Sequence, residues 1–184
     1  MPRWAYLMVG LLVLAPWSPT LAETPAAFDF TEQLLVLNGV ETVIARKAEA
    51  ICPPNCMLPI IAADGVATLG AQEVIEFLGN DVAAGQGIVL DIRLPKAFAA
   101  GHLPGAVNVP AMTLAADNPA QAAILQALGA KAAVWVVYGD GPQDRDAVQA
   151  VQEVVAAGVP TDGLRYFRGG MQEWLTLGLT VSGG

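Results

Sequence analysis

Apolar and polar residues follow a pattern typical of alternating strands and helices over much of the chain. The runs Gly87–Asp91 and Ala132–Tyr138 are almost continuously apolar, as in strands that are buried on both faces of a parallel sheet. Val66–Leu69 is a further short strand, and Ala71–Leu78 has its apolar residues on one face of a helix. This alternation predicts an α/β domain of three layers with a parallel sheet in the middle.

Three further helices are predicted in the second half of the chain, at Pro119–Leu128, Asp146–Ala157 and Met171–Leu177. Trp135 and Trp174 fall on apolar strand and helix patterns. We therefore expect both indole rings in the core rather than at a ligand site.

The segment before the α/β pattern has a different character. Residues 31–45 contain two β-rich runs on either side of Asn38-Gly39, the dipeptide that most readily supplies two positive φ angles, so a β-hairpin is predicted there. Residues 51–59 follow as a proline-stiffened loop that contains Cys52 and Cys56. Such a loop continues neither a strand nor a helix.

The first 22 residues have the layout of a secretory signal peptide. Arg3 precedes an apolar stretch from Trp4 to Ala15, and the segment ends in Thr20-Leu21-Ala22. The stretch is shorter than the roughly 20 residues that cross a bilayer. We predict cleavage after Ala22 and no stable membrane insertion thereafter, which makes the protein periplasmic or secreted; an uncleaved N-terminal anchor is the alternative.

The predicted organisation is therefore a signal peptide over 1–22, an extension over 23–65 and an α/β domain over 66–184.

The composition of the chain restricts both its ability to fold and the partners it can bind. With 54% hydrophobic and 14% charged residues, the chain can bury enough surface to fold. Its formal charge is -8, or -9 once the single base of residues 1–22 is removed. This charge disfavours a nucleic-acid partner.

Cysteine and histidine counts limit metal binding. The chain has two cysteines and one histidine, too few for a four-ligand zinc site made of these residue types. We predict no metal site and no cofactor.

Two motifs resemble the signatures of rhodanese-like domains. The first is Asp91-Ile92-Arg93 with Phe98 and the run 101–110, which reads Gly-His-Leu-Pro-Gly-Ala-Val-Asn-Val-Pro. The second is the strand end Val136-Val137-Tyr138 together with 168–174, which begins Arg-Gly-Gly-Met and ends in Trp. The resemblance covers roughly 66–181 and implies the rhodanese-like three-layer fold. A Cys-Pro-Pro-x-Cys segment before such a domain resembles an exported bacterial subgroup of the family.

The resemblance also implies where the active-site pocket lies. It places Asp91, Arg93, His102 and Arg168 around that pocket, where they mainly organise its loops. His102 is expected to bond to backbone within its turn.

At the active site the sequence departs from the family pattern. Rhodaneses have a nucleophilic cysteine directly after the strand equivalent to Val134–Tyr138, in a loop whose N–H groups point at its sulfur. Here that position is Gly139. The loop continues as Asp140, Gly141, Pro142, Gln143, Asp144 and Arg145. None of these side chains can replace the thiol as nucleophile, so we expect sulfane-sulfur transfer by the usual route to be absent.

The loop residues have other possible roles. Asp144 or Asp146 is expected to cap the following helix. Arg145 is a candidate to hold an oxyanion, as the resemblance to related phosphatases implies, but the charges of Asp140, Asp144 and Asp146 oppose an anion. A cation site on the three carboxylates is the weakest interpretation, since calcium takes about six to eight oxygen ligands.

Cys52 and Cys56 leave three chemistries open. Outside the cytoplasm a structural disulfide is the default, a short strained disulfide also suits redox or sulfur handling, and two thiols beside Met57 suit copper. Three function classes follow. The first, which we favour, is a non-catalytic module that binds a small anion, a peptide or a partner protein; the others are an exported thiol enzyme that uses Cys52 or Cys56, and a copper-handling protein.

Overall fold

The computed structural model describes residues 32–45 and 61–184. Its strands are β1 (Glu32–Leu37), β2 (Val40–Ala45), β3 (Ala67–Leu69), β4 (Gly87–Asp91), β5 (Val107–Asn108), β6 (Val134–Tyr138) and β7 (Leu164–Phe167). Its α-helices are α1 (Ala71–Phe77), α2 (Pro95–Ala100), α3 (Gln121–Lys131), α4 (Arg145–Ala156) and α5 (Gly170–Thr176). Among these residues, no helix is long and apolar enough to span a bilayer. The predicted signal peptide, Cys52 and Cys56 lie outside the described residues.

The central sheet has five parallel strands in the order β3-β7-β6-β4-β5. β4 and β6 pair along their whole length, from Gly87 opposite Val134 to Asp91 opposite Tyr138. Successive side chains of a strand point to opposite faces, and here both faces are buried. One face carries Ile88, Leu90, Trp135 and Val137, and the other carries Val89, Val136 and Tyr138. The predicted α/β fold with doubly buried parallel strands is confirmed.

Helix boundaries differ from the predicted ones by one residue at α1, α4 and α5 and by two or three residues at α3, and α2 was not predicted. α1 ends at Phe77, and the chain continues as a π-helical turn over Leu78–Val82, in which Leu78 and Val82 are buried. α3 begins later than predicted because Asn118 makes a turn, with its Oδ1 accepting from Ala120 N at 2.9 Å. Trp135 and Trp174 are buried, as predicted.

The predicted N-terminal hairpin is confirmed and packs onto the domain. Asn38 and Gly39 form its turn with φ of 53° and 79°. Its inner face contributes Leu35, Leu37 and Ile44 to the same hydrophobic cluster as α1 and α5. At its end, Thr180 Oγ1 accepts from Ala45 N at 2.7 Å and donates to Ala45 O at 3.1 Å.

Candidate functional site

The residues predicted to form a site meet at the carboxyl end of the central strands. Asp91 ends β4 and Tyr138 ends β6, and the two are paired in the sheet. The loop 139–145 follows Tyr138 and leads into α4. Ligands of open α/β sheets bind outside the carboxyl ends of the strands, so this edge is the place at which a site is expected.

Asp91 and Arg93 form a buried ion pair at this edge. Asp91 Oδ2 accepts from Arg93 Nη2 at 2.7 Å and from the Tyr138 hydroxyl at 2.5 Å, while Oδ1 accepts from Arg93 Nε at 3.0 Å. Arg93 Nη2 also donates to Gly101 O at 2.7 Å, and the Tyr138 hydroxyl accepts from Leu103 N at 3.1 Å. The network thereby ties β4 and β6 to the turn that contains His102. Tyr138 is a member that the sequence interpretation missed.

The surroundings of Tyr138 and Arg93 favour one protonation state for each side chain. Burial raises the pKa of the Tyr138 hydroxyl, and the charge and hydrogen bond of Asp91 raise it further. Burial lowers the pKa of the Arg93 guanidinium, but the hydrogen bond and charge of Asp91 outweigh this, so that pKa lies above its usual value. Tyr138 therefore remains a donor and Arg93 remains a cation, and neither is suited to proton transfer at neutral pH.

His102 has the backbone-bonded role predicted for it. Its Nδ1 lies 2.9 Å from Phe98 O, and its ring stacks on Phe98 with centroids 3.8 Å apart. Its backbone pairs with Ser182 in both directions, at 2.9 Å each. These contacts hold the turn in place next to the Asp91 network.

The loop itself is shaped around the carboxylate of Asp144. Asp144 Oδ2 accepts from Asp140 N at 2.7 Å, and Oδ1 accepts from Ala147 N at 3.1 Å, which confirms a cap on α4. A Cβ atom placed on Gly139 would clash with Asp144 Oδ2 and lie 2.9 Å from Asp144 Cγ. The carboxylate therefore fills the space that a side chain at position 139 would enter, and it uses two of the N–H donors there.

The start of α5 closes against this loop. Gly170 has φ of 53°, and a Cβ on it would lie 2.9 Å from Gly141 N. The close approach allows Met171 N to donate to Gly139 O at 3.1 Å and Gln172 N to donate to Asp140 O at 2.8 Å. Arg168, which directly follows β7, is thereby held beside the loop.

A cleft of about 350 Å³ lies between the end of β4 and the first turns of α4. Its lining is acidic, with Arg93 as the one cation among the residues that line it, opposite Asp140, Asp144, Asp146 and Glu153. Arg93 Nη1 lies 3.6 Å from Asp140 Oδ1, so the guanidinium faces a second carboxylate besides that of Asp91. Leu94 and Met112, which are 59% and 65% exposed, form an apolar part of the rim.

Arg145 does not line this cleft. It is exposed, and it lines a neighbouring depression together with Asp140, Gly141 and Gln172. Among the residues placed by the structure, it makes no hydrogen bond or ion pair that would aim it at the space beside Gly139.

Arg168 is buried beside the loop, and it differs from Arg93 in that its Nε has no hydrogen-bond partner. It is 8% exposed. Within residues 32–45 and 61–184 its side chain forms no ion pair. The Tyr166 hydroxyl and Glu173 Oε2 are likewise buried without a partner there. The sequence analysis did not predict a role for either group. The sequence indicates their proximity to Arg168 only through spacing, since Tyr166 lies two residues before it and Glu173 five residues after it.

Comparisons with known proteins identify the fold. The profile of the rhodanese-like domain matches residues 71–177. A protein from Bacillus halodurans is 21% identical over 64% of this chain and 77% of its own, with a TM-score of 0.50. A thiosulfate sulfurtransferase from Pseudomonas aeruginosa is 21% identical over 65% of this chain and 20% of its own, also with a TM-score of 0.50. None of the curated protein sequences matches the chain.

Proposed function

The chain belongs to the rhodanese-like domain family, and we propose that it is an exported, non-catalytic member that binds a partner protein at the 139–145 loop instead of transferring sulfur. The observation that carries this proposal is the carboxylate of Asp144 beside Gly139. The signal-peptide layout of residues 1–22 supports export to the periplasm or beyond.

Sulfur transfer in this family needs a thiolate that accepts hydrogen bonds from loop N–H groups. Gly139 follows β6 directly, at the position where the family resemblance expects the cysteine. The N–H groups of Asp140 and Ala147 already donate to Asp144. An external anion would have to displace this tethered carboxylate, which is present at high effective concentration. Both catalysis and anion binding at this point of the loop are therefore disfavoured.

The cleft beside the loop favours a protein partner over a small anion. Four carboxylates face one arginine whose charge is already neutralised by Asp91, so the local potential attracts cations. The exposed side chains of Leu94 and Met112 add apolar area at the rim. A lysine or arginine side chain with apolar neighbours, presented by another protein, matches this combination.

A sulfur-transfer assay tests the absence of catalysis. The purified protein and its Cys52→Ser/Cys56→Ser variant are incubated with thiosulfate and cyanide, and thiocyanate is measured. We expect both to give only the rate of the reagents alone. Turnover by the natural sequence that disappears in the variant would contradict the proposal and establish the thiol-enzyme alternative.

A binding assay tests the cationic preference of the cleft. Trilysine is titrated into the protein at low ionic strength, where exposed charges are least screened. Asp140→Asn/Asp146→Asn should weaken binding several-fold. Glu41→Gln/Glu76→Gln removes the same charge from exposed positions outside the cleft and should have little effect. An equal effect of both double variants would mean that trilysine responds only to net charge, which would overturn the cleft assignment.

A further inference from the structure

The outer face of the hairpin β1–β2 is apolar, although it faces away from the domain. A sheet that packs one face on a core usually turns a polar face to solvent. The inner face of this hairpin is buried, yet four of the eight exposed large apolar side chains of the described residues also lie within residues 32–45. With exposed fractions between 46% and 63%, they are Leu34, Val36, Val40 and Val43. Apolar exposure concentrated in one place is typical of an interaction surface.

The strand register brings three of these side chains together. Leu34 pairs directly with Val43, and directly opposed residues of an antiparallel pair have Cβ atoms about 4.5–5.5 Å apart. Val36 lies two residues along β1 from Leu34, so its side chain points to the same face. These three residues therefore form one continuous apolar area, which we call the outer patch.

Two carboxylates flank the outer patch on the same face of the hairpin. Glu41 lies opposite Val36, and Glu32 lies two residues before Leu34. Both acids are exposed, and neither forms an ion pair with another described residue. Residues 32–45 contain no lysine or arginine that would neutralise them. The outer patch therefore has negative charge at both of its ends.

This charge determines which partner fits the surface. The apolar area favours another apolar surface, and the carboxylates at its ends favour lysine or arginine beside that surface. A second copy of this chain, packed face to face, would bring the same carboxylates into the interface, and the anionic headgroups of a membrane would also be repelled. A basic amphipathic segment of another protein meets neither cost.

We propose that the outer patch is a docking surface for another protein, and that the docked segment presents apolar side chains with lysine or arginine beside them. The surface is separate from the acidic cleft, because the hairpin packs on the face of the central sheet opposite to that covered by α4. It does not depend on the function proposed for the 139–145 loop.

A labelled peptide in which lysine and leucine alternate tests the surface. Its binding to the purified protein is followed by fluorescence anisotropy at low ionic strength, in an Asp140→Asn/Asp146→Asn background that weakens the acidic cleft. We expect saturable binding. A peptide with serine in place of leucine, or with glutamate in place of lysine, should bind at least about tenfold more weakly. Equal binding of the lysine–leucine and lysine–serine peptides would overturn the proposal, because the peptides would then respond to charge alone.

Variants of the apolar pair locate the binding. Leu34→Thr/Val43→Thr keeps residues that favour strands and should weaken binding of the lysine–leucine peptide about tenfold. Ile61→Thr/Leu175→Thr is the matched control, because it replaces side chains that are 69% and 57% exposed outside the hairpin, and it should bind like the background protein. Equal weakening in the two double variants, or none in either, would refute the assignment to the outer patch.

Variants of the two acids test the charge and keep the proposal testable if the threonine variant does not fold. Glu32→Gln/Glu41→Gln leaves the apolar side chains in place and should weaken the lysine–leucine peptide about threefold at low ionic strength, with a smaller effect at high ionic strength. Trilysine has no apolar side chain, so it should not distinguish this variant from the background protein. Unchanged binding of the lysine–leucine peptide would contradict the choice of a basic partner.

Sedimentation equilibrium distinguishes a second copy of the chain from another protein. We expect a monomer at the concentrations used for peptide binding, both for the natural sequence and for Leu34→Thr/Val43→Thr. An oligomer of the natural sequence that dissociates in this variant would show that a second copy covers the outer patch, and the proposal would be wrong.

Discussion

Two buried arginines flank the 139–145 loop, and they differ in what surrounds them. Arg93 is 9% exposed and donates to both oxygens of Asp91 and to a backbone carbonyl. Arg168 is 8% exposed and has no such partner among the described residues. The two arginines are about equally buried but differ in role. Arg93 holds the loops together, whereas the charge of Arg168 partly offsets the effect of burial, which raises the pKa of Tyr166 and of Glu173.

The largest expected effect on stability comes from disrupting the ion pair between Arg93 and Asp91. Asp91→Asn keeps the shape of the side chain but leaves the charge of Arg93 buried with only the exposed Asp140 opposite it, so we expect the free energy of unfolding to fall by about 3–5 kcal/mol. Urea denaturation measures it. Asp140→Asn is the control, because this exposed acid lies 3.6 Å from the same guanidinium and should contribute about 1 kcal/mol or less. Equal losses would show that the Asp91 pair is not special.

Replacing Asp144 in the 139–145 loop should have the next largest effect on stability. Asp144→Ala removes the acceptor for the N–H groups of Asp140 and Ala147, and loss of such a helix cap costs about 1–2 kcal/mol. Thermal and urea unfolding give the value. Asp146→Ala removes an exposed acid from the same first turn and should cost about 0.3–1 kcal/mol. A larger loss of unfolding free energy in Asp146→Ala than in Asp144→Ala would contradict the role of Asp144 as the cap.

The pH dependence of stability should separate Glu173 from exposed acids. Because burial raises its pKa in the folded protein, the folded state holds this proton more tightly than the unfolded state. Stability therefore falls as the pH rises from the unfolded value of about 4.3 through the folded value, by about 1.4 kcal/mol for each pH unit between the two.

Glu173→Gln removes this loss, so the difference in unfolding free energy between the variant and the natural sequence should grow in the variant's favour between pH 4 and pH 7. Denaturation at a series of pH values measures it. Glu76→Gln, at an exposed position on α1, should show no such growth. Parallel curves for Glu173→Gln and the natural sequence would refute the predicted direction.

The smallest effect on stability should come from replacing Tyr166, close to Arg168. Tyr166→Phe removes a hydroxyl without a partner in the described region, so stability should stay within about 0.5 kcal/mol or rise slightly. Tyr138→Phe removes a hydroxyl that donates to Asp91 and accepts from Leu103 N, and it should cost about 1–3 kcal/mol. Comparable losses in the two variants would remove the contrast between the arginines.

Local pattern predicted most of the fold and little of the site. The hairpin follows from Asn38-Gly39, and β4 follows from an apolar run that ends in a charged residue, because each depends on short-range preferences. The start of α3 was misplaced because it depends on a hydrogen bond that Asn118 Oδ1 accepts from Ala120 N.

At the site, sequence reasoning predicted that Gly139 takes the place of the family's thiol, which stays a prediction, and that Asp144 or Asp146 caps α4, which is confirmed for Asp144. It did not predict that the Asp144 carboxylate lies against Gly139. The contacts of Tyr166, Arg168 and Glu173 also depend on how β7, α4 and α5 pack. Sequence spacing carries no information on such tertiary contacts.

The pKa of a thiol introduced at position 139 tests most directly whether Asp144 occupies the place of an anion in this loop. The measurement uses a Cys52→Ser/Cys56→Ser background and compares Gly139→Cys with Gly139→Cys/Asp144→Ala. We expect a pKa at or above the free-cysteine value of about 8.5 for the single variant and a clearly lower pKa for the double variant, whose thiolate gains the released N–H donors. A strongly acidic thiol in Gly139→Cys alone, unchanged when Asp144 is replaced, would contradict it.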